Sequence, residues 1–371
     1  MRFGLLALFV AAACAQQPSE LPAVWEHATP GALPQAIAKD PSRDVLYIAL
    51  KNGGLRILEI EGTNQTVAAN IGRFRFGGLD VMNLVQRENL LYLALGDFFS
   101  ARGSKVGVAV VDVAQTRSPK IVALWRSDET LRGSAAVAVD GPFVYLAAMD
   151  QGVFVFSFDG YELEEAARFL PDIDFPRPNP NRTQHPNARG LAVSADLLYV
   201  AFDAGGMRVV DKSDPYHLRE VGRYINAGMR GKQQAYNNLA IEGDIVYAAV
   251  DYAGLEVLDV SDPARIRQVG WWNPWGADTF GNLWLNSRGH TNQIQLDREK
   301  SVAYLSAGDS ELVCVDVSDP ARPRLAAFHG QPGDGYGAWG VGLGENLAYV
   351  AYINAAAPFR GRWSGIRAVR R

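Results

Sequence analysis

Histidines are the side chains of this chain that could most readily bind a metal ion. There are five of them: His27, His185, His217, His290 and His329. Imidazole is a common ligand of zinc, copper and iron, but metal sites usually draw their ligands from short, regular spacings. The five histidines are far apart, and the sequence has no H-E-x-x-H or C-x-x-C motif. A metal site would therefore have to be assembled from separate loops, and we expect no cofactor.

Carboxylates are the second group that could do chemistry. Asp214, Asp262 and Asp319 recur in Ser-Asp-Pro triplets. Proline fixes φ and aspartate accepts a hydrogen bond from its own following backbone, so these aspartates are predicted to form turns. Asp172 and Asp174 form a D-x-D pair that could bind calcium, but no further acidic residues of a calcium loop follow. The chain also lacks the G-x-S-x-G and P-loop motifs.

The elements that would position these side chains form an internal repeat. Seven tyrosines, each within a short apolar run, follow one another at intervals of 45 to 57 residues: Tyr47, Tyr92, Tyr145, Tyr199, Tyr247, Tyr304 and Tyr349. Such runs, bounded by turn residues, are typical of buried strands. A period of about 40–50 residues with four strands per unit is typical of propeller blades. The sequence therefore predicts an all-β fold, a single seven-bladed β-propeller.

The third strand of each unit carries the most regular motif. It is clearest in Gly206–Pro215, Gly254–Pro263 and Glu311–Pro320, where an apolar strand ends in Asp-x-Ser-Asp-Pro. This pattern resembles the repeats of the LVIVD-repeat family of exported β-propeller proteins. Units one, three and seven depart from it, with Glu59, Ser157 and Arg370 at the position of the first aspartate. The resemblance implies a propeller fold and export, and it implies no catalytic residues.

The seventh unit ends without a fourth strand, because the chain stops soon after Gly365–Val369. The segment Pro22–His27 resembles the fourth strands of other units, such as Lys120–Trp125. Pairing the two ends would remove two exposed sheet edges. We therefore predict that the N-terminal strand completes the last blade, that the propeller spans residues 22–371, and that residues 16–21 are a short linker.

The N-terminus has the pattern of a secretory signal, namely Met1-Arg2, a short apolar stretch and an A-x-A site ending at Ala15. We assign residues 1–15 to a signal peptide and expect the protein to be exported, to the periplasm or the extracellular space. The segment Ala11–Cys14 also fits a lipoprotein signal, in which Cys14 is acylated and anchors the protein to a membrane. Both alternatives remain open on the sequence.

Charge and cysteine content restrict the partners. The chain has 36 basic and 40 acidic residues, for a net charge of −4, which argues against a nucleic acid. After cleavage Cys314 would be the only cysteine, at a strand position that holds Val or Ile in other units. A small buried thiol behaves as an apolar side chain. We therefore predict that Cys314 belongs to the core.

The long loops all fall on one face of the predicted propeller. Tyr92 and Gly107 are 15 positions apart, and Tyr349 and Gly365 are 16 apart, whereas five units have 7 positions there. The loop after unit three and the Asn273–His290 loop, which contains Trp275, Phe280 and Trp284, also lie on this face. Insertions in repeat proteins concentrate on the functional face. We call it the loop-rich face and predict that it binds a ligand.

Residues just before the first strands would surround the axial opening on the loop-rich face. Arginine and aromatic side chains are favoured at binding hot spots. The predicted ligand-binding residues are Arg132, Arg189, Asn238, Trp284, His290, Asn292 and Trp339.

Two functions fit these observations. The first is a non-catalytic exported scaffold that binds a protein or a carbohydrate through the loop-rich face. The alternative is a propeller enzyme, a hydrolase or an oxidase, with a metal at the axial opening. Stoichiometric metal that is lost on mutating His290 and His329 would favour the enzyme.

The two N-terminal alternatives predict different masses for the mature protein. Simple secretion should leave an unmodified N-terminus at Gln16, because cleavage follows Ala15. Acylation at Cys14 should instead place the protein in the membrane fraction, and Cys14→Ala should release it, since each buried methylene of a lipid contributes about 0.8 kcal/mol. Mass spectrometry of the mature N-terminus distinguishes the two outcomes.

Overall fold

A computed structural model describes residues 17–177, 185–229, 231–279 and 289–371. The segment 1–15, for which the sequence predicts a signal peptide, lies outside the described residues together with Cys14. The described chain forms seven sheets, and the innermost strand of each sheet contacts the innermost strands of the sheets on either side, so that the sheets close into a ring. The predicted seven-bladed β-propeller is confirmed.

The first three blades follow the order of the chain from the axis outward. Blade one consists of β3 (Ala36–Lys39), β4 (Val45–Ala49), β5 (Leu55–Glu61) and β6 (Asn64–Ile71). Blade two consists of β7 (Val81–Arg87), β8 (Leu90–Leu95), β9 (Gly107–Asp112) and β10 (Lys120–Arg126). Blade three consists of β11 (Ala136–Asp140), β12 (Phe143–Ala147), β13 (Val153–Phe158) and β14 (Leu163–Phe169).

The next three blades repeat this order. Blade four consists of β15 (Gly190–Ser194), β16 (Leu197–Ala201), β17 (Met207–Asp211) and β18 (Arg219–Tyr224). Blade five consists of β19 (Ala235–Glu242), β20 (Ile245–Asp251), β21 (Gly254–Asp259) and β22 (Arg267–Trp272). Blade six consists of β23 (Gln293–Asp297), β24 (Val302–Ser306), β25 (Leu312–Asp316) and β26 (Arg324–His329).

Blade seven joins the two ends of the chain. Its inner strands are β27 (Ala338–Leu343), β28 (Leu347–Tyr352) and β29 (Gly365–Arg370), and its outer strand is β2 (Ala23–Ala28). A two-residue strand, β1 (Ser19–Glu20), precedes β2. Three short 3-10 helices lie in loops, at Arg73–Phe76, Ala227–Met229 and Pro263–Arg265. None of the helices in the described ranges is long and apolar enough to cross a bilayer.

The second strands form the centre of each blade, as the tyrosine repeat predicts. All seven repeat tyrosines are buried, and the apolar residues around them pack against the neighbouring blades in a chain of clusters. Cys314 is also buried, and desolvation raises the pKa of its thiol to about 12. The prediction that Cys314 is a core residue is therefore confirmed.

Turns on the face opposite the loop-rich face are set by the repeated aspartates. The carboxylates of Asp214, Asp262 and Asp319 each accept a hydrogen bond from the backbone N–H two residues later, at 3.0–3.1 Å. These short Asx turns hold β17, β21 and β25 close to the fourth strands that follow. The predicted role of the three aspartates as turn formers is confirmed.

Ring closure depends on antiparallel pairing between β2 and β29, from Ala23 opposite Val369 to Ala28 opposite Gly365. Trp25 is buried between the blades, with its ring centroid 5.8 Å from that of Tyr349. The N-terminal strand therefore completes the last blade, as predicted. Without it β29 would present an unpaired edge.

The residues before β2 also contact blade six. β1 runs parallel to β26, and the Leu21 N–H donates to the Phe328 carbonyl at 2.7 Å. His329 Nδ1 lies 2.8 Å from the Leu21 carbonyl oxygen. The segment assigned to a linker from the sequence therefore adds a fifth strand to blade six, and the N-terminus connects the two blades on either side of the closure.

Deleting residues 17–28 should lower the thermal midpoint strongly. The deletion exposes the edge of β29, removes the buried Trp25 and takes Glu26 away from Arg367, whose guanidinium lies 2.6 Å from it. Losing a large buried aromatic alone costs about 3–5 kcal/mol. A control that lacks only residues 17–20 keeps β2 and should lose much less. An unchanged midpoint in thermal unfolding of the larger deletion would refute closure by β2.

Candidate functional site

The axial opening on the loop-rich face is a narrow polar pocket. Four of the residues predicted from the sequence line it: Arg189, Asn238, Asn292 and Trp339. Asn83, Asn237 and Gln293 add further amide groups, so blades two, five and six all contribute polar side chains. The cavity volume is about 20 Å³, close to the space that one water molecule needs. As it stands, the pocket is too small for a sugar ring or a side chain.

Aromatic side chains from the two long insertions fill the opening. Phe98 and Phe99 belong to the β8–β9 loop of blade two, and Phe359 belongs to the β28–β29 loop of blade seven. The Trp339 ring packs edge-on against Phe99 at 5.1 Å and against Phe359 at 5.3 Å. Trp339 is only 5% exposed. A ligand would reach it only if the blade-two loop moved, so in this structure Trp339 anchors the loops.

Arg189 joins the aromatic group to a buried carboxyl. Its guanidinium lies 4.8 Å from the centre of the Phe98 ring, a cation–π distance. Nearby, Asp203 accepts a hydrogen bond from the Asn187 amide at 2.9 Å. Burial raises the pKa of Asp203, and the positive charge of Arg189 opposes that rise. Asp203 also has a left-handed φ of 46°, which the residues at the same position of blades one and three share, so this conformation belongs to the repeat.

His290 lies behind the opening and has no exposed surface. Its Nδ1 is 2.9 Å from a carboxylate oxygen of Asp251. The imidazole packs between the rings of Tyr252 and Phe359, both at a centroid distance of 5.4 Å. The contacts around His290 are those of a buried, paired histidine, and the carbonyl of His290 accepts from the Asn292 amide at 2.7 Å.

The remaining predicted residues divide into three cases. Asn238 is half-buried, and its side-chain oxygen accepts from the Leu239 N–H at 2.9 Å. Arg132 is exposed and does not line the pocket; it lies in the loop that pairs with Ser104 of the blade-two insertion. Trp284 lies outside the described residues, as does Phe280, so their contribution stays a prediction.

Histidine positions do not support the metal alternative within the described ranges. His27 Nε2 is 3.3 Å from the Arg56 guanidinium, and His329 Nε2 is 3.0 Å from that of Arg367. Burial lowers the pKa of both imidazoles. No group of three or more histidine, cysteine, aspartate or glutamate side chains in those ranges is placed to hold a metal ion.

A buried carboxyl that sequence analysis missed lies at the junction of blades six and seven. Glu311 has no exposed surface, and its carboxylate accepts from the Tyr352 hydroxyl at 2.9 Å. Arg367 Nη1 lies 3.5 Å from the same oxygen, and His329 Nε2 lies 3.7 Å from it. Burial, and then the neighbouring Asp334 carboxylate, raises the pKa of Glu311 to about 9.

A comparison of the seven repeat units could have indicated from the sequence that Glu311 is unusual. Glu311 stands seven positions after its repeat tyrosine, where blades one, three, four and five have glycine with φ between 77° and 82°. Glu311 adopts the same left-handed region, with φ 60°. Only glycine enters that region without steric cost. A glutamate at a glycine position is therefore a strained exception, and strained exceptions often mark positions with a specific role.

Glu311→Gln should reduce the sensitivity of the protein to alkaline pH. The unfolded glutamate ionises near its ordinary pKa of 4.5, whereas the folded one keeps its proton up to about pH 9. The folded state therefore binds more protons between these values, and stability falls as pH rises through this window. Glutamine stays neutral and keeps an acceptor for Tyr352. The thermal midpoint of the variant minus that of the unmodified protein should therefore increase between pH 5 and pH 9.

The exposed Glu299 provides the control, because Glu299→Gln should leave the difference between the midpoints at pH 5 and pH 9 unchanged. A Glu311→Gln variant whose midpoint follows that of the unmodified protein across this range would mean that Glu311 is ionised in the folded state.

Comparison with known proteins adds to this geometry. The family model described as the LVIVD repeat matches residues 186–226, 235–273 and 302–328. These stretches coincide with most of blades four, five and six, the units in which the motif is clearest. The resemblance that the motif suggested is thereby confirmed. No curated protein is detectably similar to the chain in sequence.

Solved structures with a similar fold include WD40 propellers. The crystal structure of the RRP9 WD40 repeats has a TM-score of 0.66 at 12% identity and covers 96% of this chain and 99% of that one. The structure of U3-55K has a TM-score of 0.65 at 12% identity and covers 96% and 100%. A chain of the Mitotic Checkpoint Complex has a TM-score of 0.64 at 9% identity and covers 100% and 99%. At such low identities these likenesses concern the fold alone.

Proposed function

We propose that this β-propeller, which matches the LVIVD repeat over residues 186–226, 235–273 and 302–328, is an exported, non-catalytic scaffold that binds a protein or carbohydrate partner through its loop-rich face. The observation that carries the proposal is the one-sided distribution of its loops. The insertions between β8 and β9 and between β28 and β29 both lie on that face. On the opposite face the strands are joined by short turns.

Support also comes from how the long loops are held. The guanidinium of Arg208, which is fully buried, donates to the carbonyls of Asp172 and Phe175 at 2.9 and 3.2 Å and so fixes the first residues that follow blade three. In the blade-two insertion, the Ser104 backbone exchanges hydrogen bonds of 3.0 and 2.9 Å with Leu131. Loops that are fixed before binding lose less conformational entropy on binding, which suits a recognition surface.

Exposed aromatic side chains allow the two faces to be compared directly. Phe74 and Phe99, on the loop-rich face, are 83% and 48% exposed. Tyr161 and Tyr216, in turns on the opposite face, are 84% and 53% exposed. The two pairs are therefore matched in accessibility and differ in the face on which they lie.

Photo-crosslinking at these four positions tests the proposal. A benzoylphenylalanine at position 74 or 99 should yield adducts with a protein, seen as a mass shift, or with a carbohydrate, seen by glycan staining. The same group at position 161 or 216 should yield few adducts. A crosslink forms only where a partner lies against the surface, and we expect the partner on the loop-rich face. Equal yields from both faces, or adducts only from positions 161 and 216, would contradict recognition through the loop-rich face.

A further inference from the structure

One part of the loop-rich face combines exposed aromatic rings with arginines. It lies above blade two and consists of Phe74, Arg75, Phe99, Arg102, Arg126 and Arg132, which we call the blade-two patch. All six side chains are exposed. They come from three loops: the one that leads into β7, the β8–β9 insertion, and the one that leads from β10 to β11.

The three loops form one connected surface. Arg126 Nη1 donates to the Gly77 carbonyl at 3.2 Å, which joins the end of β10 to the Phe74 loop. The backbone of Ser104 pairs with Leu131 and Arg132, which joins the insertion to the loop before β11. The three segments are thus neighbours through their own hydrogen bonds.

A chain of ion pairs beneath the patch fixes the backbone that carries the exposed rings of Phe74 and Phe99. The Asp80 carboxylate binds Arg73 at 2.8 Å and Lys51 at 3.5 Å. Lys51 in turn binds Asp97 at 2.8 Å, and Asp97 accepts from the Phe99 N–H at 2.9 Å. Arg73 immediately precedes Phe74 in the sequence. Both phenylalanines are therefore exposed on a fixed backbone, and burying them against a partner costs little loop ordering.

The arginines of the patch have fewer acidic partners than those beside the motif turns of the opposite face. Among the described residues, the guanidinium groups of Arg75, Arg102 and Arg132 have no ion-pair or hydrogen-bond partner. On the opposite face of blades four, five and six, the motif aspartate pairs with the arginine that begins strand four, as in Arg219 with Asp211 at 3.0 Å. The exposed acids near the patch are Asp128 and Glu129, fewer than its four arginines. The patch is thus locally positive in a chain with a net charge of −4.

We propose that the blade-two patch binds an acidic segment of a partner protein that also carries aromatic or aliphatic side chains. This inference rests on the proposed function, since it specifies the partner of the loop-rich face. Carboxylates of the segment pair with the arginines, and its apolar side chains cover Phe74 and Phe99. Desolvated apolar anchors within a charged rim are typical of protein interfaces. A sulfated or uronic polysaccharide would also pair with the arginines, but its hydroxyl-rich rings would cover the two phenylalanines less completely than apolar side chains do.

A displayed library of random peptides, selected against the purified mature propeller, tests the partner class. The enriched peptides should combine acidic with aromatic or aliphatic residues, and one synthesised peptide should bind less tightly as salt rises, because screening weakens exposed charge pairs. No enrichment, or enrichment of neutral or basic peptides, would overturn the proposal. Retention on immobilised heparin without peptide enrichment would assign the patch to polyanionic saccharides instead.

Two sets of variants locate the binding. A triple variant R75E, R102E and R132E should weaken the binding of the synthesised peptide at least about tenfold. The double variant F74S with F99S should weaken it to the same degree. The controls carry the same changes on the opposite face: R219E, R265E and R322E, and Y161S with Y216S. These controls should change affinity less than about twofold. If the controls weaken binding as much as the patch variants do, the peptide binds elsewhere.

The two proposals fail in different ways. Crosslinks from positions 74 and 99 to a partner, together with enriched peptides that lack acidic residues, would overturn the acidic partner and leave recognition through the loop-rich face intact. Crosslinks confined to positions 161 and 216 would overturn both.

Discussion

The structure depends on closing a ring of seven separate sheets with one strand from the other end of the chain. The strands of each blade bury most of their apolar residues against the neighbouring blades, so an open junction would expose two blade surfaces at once. The β2–β29 pairing covers that junction, and Arg367 lies at its centre. Its guanidinium bonds to Glu26 of the N-terminal strand and stacks on Tyr336 at 4.2 Å. The packing of blade seven against its two neighbours depends on this closure.

The same strand position as Arg367 fixes loops in other blades. The position two residues after the glycine that opens the third-strand motif is charged in four blades: Arg56, Arg208, Glu256 and Arg367. Arg208 and Glu256 are fully buried. Arg208 bonds to the loop between blades three and four, and Glu256 accepts from the Tyr236 hydroxyl at 2.7 Å and from the Asn226 amide. A buried charge must be paired, so each of these side chains commits a nearby segment to one position. The repeat thus fixes the position of the anchoring side chain, and the type of residue at that position differs from blade to blade.

Periodicity was sufficient to predict the fold because one tyrosine per blade, together with an Asp-x-Ser-Asp-Pro turn in blades four, five and six, gives local signals with regular spacing. Contacts across the axis have no such spacing. Phe98 and Trp339 meet although they lie in blades two and seven, and no local pattern relates them. His290 was predicted from its place in the chain, but its burial beside Asp251 depends on the insertion of blade seven. Glu311 was detectable only by comparing it with the glycines at the same position of other blades.

The two faces differ in how strongly the repeat determines them. On the face of the short turns, each motif aspartate at the end of the third strand pairs with an arginine eight residues later, as in Asp259 with Arg267 and Asp316 with Arg324. The motif that builds the turn therefore also neutralises the charges beside it. The loops of the opposite face lie outside the motif, so their length and charge vary without disturbing a strand. The unneutralised Arg102 and the exposed ring of Phe74 lie on the face that the repeat leaves undetermined, and there selection for a partner can act without a loss of stability.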